Sequence, residues 1–409
     1  MRAVILAVGS ELVRGRTVDT NSTHIAARLT AAGATVVGTS CVPDSVDAIA
    51  RAMLRASEDA DILIVTGGLG PTFDDLTREG LAKALGVENA EHPVALEYLH
   101  DAFAARGRVP SGTNIRQALL PAGCTPVRNP VGTAPAVAGN IAGTLVFCLP
   151  GIPGEMRALL ASAVIPAIRD RISPVSTLAF KLCGPPEAAA AELLCSLDIP
   201  SEVESIINVS FGVITVFLTA PAGYAGLPEL GERIRSSFGD DIVSMNGESL
   251  ETVVLDLARS RGLTVGCVES CTGGLIAAAL TSVPGSSSVF KGGVVAYADA
   301  VKSSIGVPEE LIAEHGAVSV ETVCAMAVRG RVFLGVDLCV AVSGIAGPSG
   351  GTEEKPVGTV HLAVAHSSGI APASLRLSGS RDHIRRFSAT RALDQLRRSL
   401  LRVGSEEPV

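Results

Sequence analysis

The chain has 409 residues, with 33 lysines and arginines against 41 aspartates and glutamates, a formal net charge of −8. At roughly 100–200 residues per domain that length suggests two to four domains, and 47% apolar against 18% charged residues excludes a disordered chain. The acidic balance is a poor match to nucleic acid or an anionic membrane, so neither is an expected partner. Gly, Pro or charge breaks every apolar run well before the roughly 18 residues of a membrane span. The nine cysteines are scattered without a C-x-x-C, and the N-terminal apolar run is too short for a signal peptide. The expectation is a soluble cytoplasmic protein.

The first elements alternate. Val4–Val8 reads as a strand, Asn21–Ala32 as a helix that Ser22 or Asn21 can cap and Gly33 can end in an αL turn. Thr35–Cys41 is a second strand, Val46–Ser57 a helix, and Ile62–Val65 a strand apolar enough to be buried on both faces. That alternation predicts a doubly wound parallel sheet over residues 1–170, with ligands beyond the carboxyl ends of its strands. Residues 171–246 read as a small α+β segment, with strands at Thr177–Cys183 and Phe211–Thr219 and helices at Glu187–Ser196 and Leu227–Phe238. It suits a connector or dimerisation domain. Residues 247–409 return to an α/β/α pattern, with strands at Leu263–Val268, Gly293–Tyr297, Leu338–Val342 and Thr359–Ala365. Helices are expected at Gly273–Thr281, Val320–Phe333 and His383–Arg402, with Arg385, Arg386, Arg391, Arg397 and Arg398 of the last read as a solvated face.

Two constellations carry chemistry. In the third segment, Glu269-Ser270-Cys271-Thr272-Gly273-Gly274 lies between an apolar strand and an Ala-rich helix. A hydroxyl there would sit at a helix N-terminus, where unpaired N–H groups favour the anions that an attacking Ser generates. The alternative is that Ser270 only caps the helix. Lys302 follows Tyr297 by five positions, after the next strand, and a partly buried Lys can accept the Ser proton. Tyr297 can relay or orient through its phenol. Cys271 is the rival nucleophile and Lys355 the rival base. Ser343-Gly344-Ile345-Ala346-Gly347-Pro348 follows a buried strand, and its N–H groups can serve a phosphate or an oxyanion.

In the first segment, Gly67, Gly68 and Gly70 follow a buried strand and can cradle a phosphate. Glu11, Asp19, Asp74 and Asp75 at the strand ends can hold a hard divalent metal through oxygen ligands. Metal plus cradle suggests a pyrophosphate substrate. Asp19 and Asp75 have the competing reading of helix caps. No G-x-x-x-x-G-K-[ST] is present, which excludes a P-loop NTPase.

The string 269–274, the pair Tyr297 and Lys302, and the segments 314–319, 343–348 and 353–359 together resemble the C-terminal domain of the CinA family, a nicotinamide mononucleotide deamidase. The resemblance implies Ser270 as nucleophile, Lys302 as its base and Tyr297 as an assisting hydroxyl. Thr272, Ser343 and Gly344 would bind the tetrahedral oxygen or the substrate, with no cofactor. Residues 9–12, 19–21, 66–75 and 151–156 resemble the family's N-terminal domain, which shares the molybdopterin-binding fold and is associated with metal-dependent ADP-ribose pyrophosphatase activity. The middle segment resembles a KH-like dimerisation module, implying a homodimer. Two departures stand out. Ala136 sits where the family commonly has Gly, which could crowd a substrate loop, and Gly184-Pro185-Pro186-Glu187 replaces a usual Gly-x-x-Glu-Ser turn. The alternatives are a pterin-nucleotide binder without turnover in the first domain, and a non-catalytic adaptor in competence or DNA handling.

Overall fold

Alternate residues of a strand face opposite sides of its sheet, and the first unit shows this at its centre. Strands β1 (Arg2–Val8), β2 (Thr35–Val42) and β3 (Ile62–Thr66) pair in parallel with β1 in the middle. Leu6, Val8, Leu63 and Val65 enter one core, while Ala3, Ile5, Ile62 and Ile64 enter a second on the other face. That is why β3 reads as an uninterrupted apolar run. The sheet continues through β4 (Thr125–Val127), β5 (Ala136–Ile141) and β6 (Thr144–Leu149) in the order β2-β1-β3-β6-β5-β4, with β5 antiparallel to both neighbours. Helices α1 (Thr20–Ala32), α2 (Val46–Asp59) and α3 (Thr77–Leu85) connect the strands. The computed structural model describes residues 1–403, which divide into one unit over Met1–Ser176 and a second from Thr177 onward.

Helix α1 is capped by Asp19, whose Oδ1 accepts from the Ser22 amide at 2.9 Å, not by Ser22 or Asn21. Gly33 ends it at φ 101°, and a Cβ there would meet the Ser173 carbonyl at 2.0 Å. Asp75 caps nothing: it accepts from Thr72, and the residue preceding α3 is Leu76. Ala136 is fully buried in the core beside Ile5 and Ile62, so its methyl group belongs to the packing of the sheet.

The second unit holds two sheets. Strands β7 (Val175–Cys183), β8 (Glu204–Ser210), β9 (Val213–Pro221) and β10 (Ile242–Ser244) are arranged β8-β9-β7-β10, with helices α4 (Glu187–Ser196) and α5 (Gly226–Phe238). Strand β8 escaped sequence reading because every residue in it is exposed, leaving no burial pattern to detect. After helix α6 (Leu250–Ser260) come β11 (Val265–Glu269), helix α7 (Leu275–Thr281), β12 (Phe290–Val295) and helix α8 (Asp299–Ser304). Helix α9 (Val320–Leu334), β13 (Leu338–Gly344), β14 (Thr359–His366), β15 (Gly369–Arg376) and helix α10 (Arg381–Arg402) complete the chain. The order is β12-β11-β13-β14-β15, parallel for the first three and antiparallel beyond.

The arginines of α10 correct the expectation of a solvated face. Arg397 is 2% exposed, pairs with buried Asp394 at 2.7 Å and donates to the Ile242 and Asp240 carbonyls. Arg398 bonds Asp394, Asp241 and the Cys183 carbonyl. The helix thus joins the β7–β10 sheet to the β11–β15 sheet through satisfied buried charges, whose loss on one side would leave the others unpaired.

Candidate active site

Ser270 follows β11 directly and is 8% exposed. Its amide continues the ladder to the Val342 carbonyl, and Gly273 donates to the Ser270 carbonyl at 3.1 Å, closing a tight turn. Gly273 (φ 61°) and Gly274 (φ 98°) take left-handed conformations that side chains disfavour, which is what two adjacent glycines supply here. The Ser270 hydroxyl hydrogen-bonds to no group among the described residues. It is not the cap of α7, because the helix starts at Leu275 and Gly274 occupies the capping position.

Three of the amides at the start of α7, those of Gly274, Ile276 and Ala277, are already occupied. The buried Glu269 carboxylate accepts from Gly274 (3.0 Å) and Ile276 (3.1 Å) through Oε2, and from Ala277 (2.9 Å) through Oε1. The expectation that this helix terminus serves an anion at Ser270 is therefore corrected. The amides of Cys271 and Thr272, next to Ser270, bond to no oxygen among the described residues. Arg385 of α10 donates to the Cys271 carbonyl (3.1 Å) and the Thr272 carbonyl (2.9 Å), holding the turn from outside. Thr272 is fully buried, and its Oγ1 lacks a partner.

Lys302, in α8, is 1% exposed. Its amine donates to Asp299 Oδ1 at 2.9 Å and to the Tyr297 carbonyl at 3.3 Å, and to neither rival nor expected partner beyond these. The expected burial is present, but the amine rests in an ion pair and not in a purely apolar pocket, and no hydrogen bond joins it to Ser270. Tyr297 lies two residues beyond β12 and is 58% exposed, with its phenol oxygen accepting from Arg381 at 3.0 Å. Arg381 also donates to the Gly347 carbonyl at 2.7 Å.

The remaining segments converge. Ser343 donates to the Ala317 carbonyl at 2.6 Å, and Gly344 lies in the ladder opposite Val360, so neither forms the open turn expected after β13. Lys355 donates to the His315 carbonyl at 2.8 Å, which ties up the rival base. Burial pushes the Cys271 thiol up to about 12, so it stays protonated at neutral pH and is a poor nucleophile.

In the first unit, Glu11, Asp19, Asn21, Thr66, Gly67 and Gly151 line a cleft of about 190 Å³ beyond the strand ends. Asn21 donates to the Gly151 carbonyl (2.8 Å) and to Thr66 (3.2 Å). The Gly-rich loop is held by its carbonyls: Thr77 Oγ1 takes Gly67 (2.7 Å), and buried Arg78 takes Leu69 (2.7 Å) and Gly70 (3.0 Å). The amides of Gly68, Leu69 and Gly70 bond to no partner among the described residues. Asp74 and Asp75 both accept from Thr72 and line no part of this cleft, and among the described residues no group of three or more His, Cys, Asp or Glu could hold a metal. The four expected carboxylates therefore do not form one site, because the Thr72 turn draws two of them elsewhere.

Residues 247–400 match the family described as CinA C-terminal domain, and residues 4–170 match the probable molybdopterin binding domain. A CinA-like protein of Citrifermentans bemidjiense is 42% identical, with 98% of each chain covered. The chain belongs to the CinA family. A CinA-like protein of Geobacter sulfurreducens is also 42% identical, over 98% of this chain and 100% of its own length. A solved competence/damage inducible protein CihA of Agrobacterium tumefaciens shares 40% identity, covering 37% of this chain and 94% of its own, with a TM-score of 0.37. This CinA-family chain is thus a mixed α/β protein with a molybdopterin-binding-like N-terminal domain. None of its described helices is long and apolar enough to cross a membrane.

Sequence reading overlooked Glu269, Asp299, Arg381, Arg385, Thr77 and Arg78. A partial signal existed for two of these: Arg381 and Arg385 stand four apart, one turn, on one face at the start of a helix. Which loop that face meets was not written locally.

Proposed function

We propose that the C-terminal domain hydrolyses the carboxamide of nicotinamide mononucleotide. The Ser270 oxygen attacks the carboxamide carbon while its proton passes to Lys302. The C–N bond breaks, ammonia leaves carrying that proton, and water then cleaves the acyl ester to give nicotinate mononucleotide. The observation that supports this most is a serine hydroxyl with no structural bond in a tight glycine turn after a buried parallel strand. Thr272, Gly273 and Gly347 border the substrate in this reading, and Tyr297 lies near the outer rim. Lys302 must move off Asp299 and give up its extra proton, so that it meets the hydroxyl as a neutral amine able to take the Ser270 proton. Ammonia release from nicotinamide mononucleotide by the full chain tests the reading, and its absence from well-folded protein overturns it.

The N-terminal domain is proposed to cleave ADP-ribose between its phosphates, with the unbonded amides of Gly68, Leu69 and Gly70 on the pyrophosphate. A divalent ion would polarise the phosphates when bound, but the protein offers it only Glu11 and Asp19 in the cleft, and one oxygen of Asp19 already caps α1. ADP-ribose turnover unaffected by chelator would remove the metal, and molybdopterin binding without turnover would favour a pterin-nucleotide binder. The protein is proposed to be a cytoplasmic homodimer without a nucleic-acid partner. Salt-sensitive retention of single-stranded DNA would instead support an adaptor role.

A further inference from the structure

Glu269 takes no part in the scheme above, yet it is 1% exposed and has no counter-cation among its hydrogen-bond partners. A carboxylate is costly to bury unless every lone pair is used. Here both oxygens are used: they accept the Gly274, Ile276 and Ala277 amides, and the Cys267 thiol lies 3.5 Å from Oε1. Three amide bonds to one carboxylate exceed what an ordinary Ser or Asp cap makes. The chain between strand end and helix start is only Ser270 to Gly274, so these bonds span and close the turn that carries the hydroxyl.

Of the backbone N–H groups from Ser270 to Gly274, Ser270 serves β13, Gly273 serves the Ser270 carbonyl, and Gly274 serves Glu269. The Cys271 and Thr272 amides lie against the Cys271 thiol inside the turn. Arg385 sits on the carbonyl of the Cys271–Thr272 peptide, and a cation there polarises that peptide and strengthens the Thr272 N–H as a donor.

We propose that Glu269 is a positioning residue of the amidase: by bonding the Gly274, Ile276 and Ala277 amides it fixes the turn that carries the Ser270 hydroxyl. This rests on the deamidase reading. The test compares full-length wild type with Glu269→Gln and Glu269→Asp in ammonia release at 25 °C, with folding followed by circular dichroism. Gln keeps the size but brings an NH₂ against N–H donors, and Asp keeps the charge but is too short to span all three. Both should lose kcat, Gln by about 100-fold, the order expected when a reacting group is misplaced by about 1 Å, while KM stays within about twofold. Ser249→Ala, which removes the Oγ that accepts from Thr252 at the start of α6, is the control: it lowers the melting temperature but leaves kcat unchanged.

Folded Glu269→Gln with wild-type kcat overturns the proposal, as does a loss confined to KM. If Glu269→Gln does not fold, Glu269→Asp decides by the same split. Wild-type protein that releases no ammonia removes the deamidase reading and this proposal together. Active wild type with an unaffected variant removes only the positioning role.

Discussion

Two turns in this molecule share one device. In the N-terminal unit the Arg78 guanidinium donates to the consecutive carbonyls of Leu69 and Gly70; in the C-terminal domain Arg385 does the same to Cys271 and Thr272. Each turn follows a fully buried central strand, β3 or β11, but the Cys271 and Thr272 amides of the second lie against the Cys271 thiol. A cation on the carbonyl side turns a flexible Gly-containing loop into a rigid one. What differs is the side chains beside it. The C-terminal turn holds an unbonded hydroxyl and, after the neighbouring strand, a buried amine. The N-terminal loop has no nucleophile, and its nearest carboxylates are tied to Thr72. The two turns share a braced backbone, and any chemistry has to come from what stands next to it.

The largest expected effect breaks the contrast directly. Ser270→Ala should reduce ammonia release by about 10⁴-fold or more with folding retained, since removing a nucleophile disables the whole unit. Lys302→Met should lose a similar factor, whereas Lys355→Met should keep most activity because its amine only braces the His315 carbonyl. Steady-state ammonia assays on the three variants check this order, and a worse Lys355 variant would reverse the choice of base.

The arginines sharpen the parallel. Arg78→Met leaves two carbonyls without their donor, at a cost of about 2–4 kcal/mol, and should appear as earlier urea unfolding of the N-terminal unit with ammonia release intact. Arg385→Met should instead lower kcat about tenfold, less than the ~10²-fold cost of a ~1 Å misplacement, because Glu269 still holds the turn. Equal effects of both on ammonia release would dissolve the distinction between the turns.

Smaller effects follow from burial and capping. With its thiol near 12, Cys271 is protonated throughout the neutral range, so an activity profile from pH 6 to 9 should show no thiol limb. Cys271→Ala should keep kcat within a few-fold, and mass spectrometry after iodoacetamide at pH 8 should find exposed Cys195 modified and Cys271 not. Asp19→Ala removes the acceptor at the start of α1 and should cost about 1 kcal/mol in urea unfolding, without touching the C-terminal activity.

Much of the fold was legible because burial writes a local pattern. β1 and β3 supply residues to two cores, and an apolar run with no polar interruption can do nothing else. Strand β8 was invisible because none of its residues is buried, and β4 and β5 because short strands carrying Pro or Gly look like loops. At the site, Ser270 and Lys302 stood out as a nucleophile and a base flanking adjacent strands. Glu269 did not, since a carboxylate beside a serine reads as surface charge until three amides are seen to converge on it. The arginines of α10 read as solvated because periodicity cannot tell water from a buried aspartate such as Asp394.

The sequence by itself determined the alternating α/β class and the glycine turns after buried strands, and it singled out Ser270 and Lys302 as candidates. These depend on residues close together in the chain, where backbone freedom and apolar periodicity act directly. Only the tertiary structure decided that Glu269 takes the amides of its helix, that Lys302 is ion-paired to Asp299, that Arg385 braces the turn of Ser270, and that Asp74 and Asp75 stay apart from Glu11 and Asp19. Each depends on which of several equivalent donors a polar group meets across the fold, and packing settles that choice.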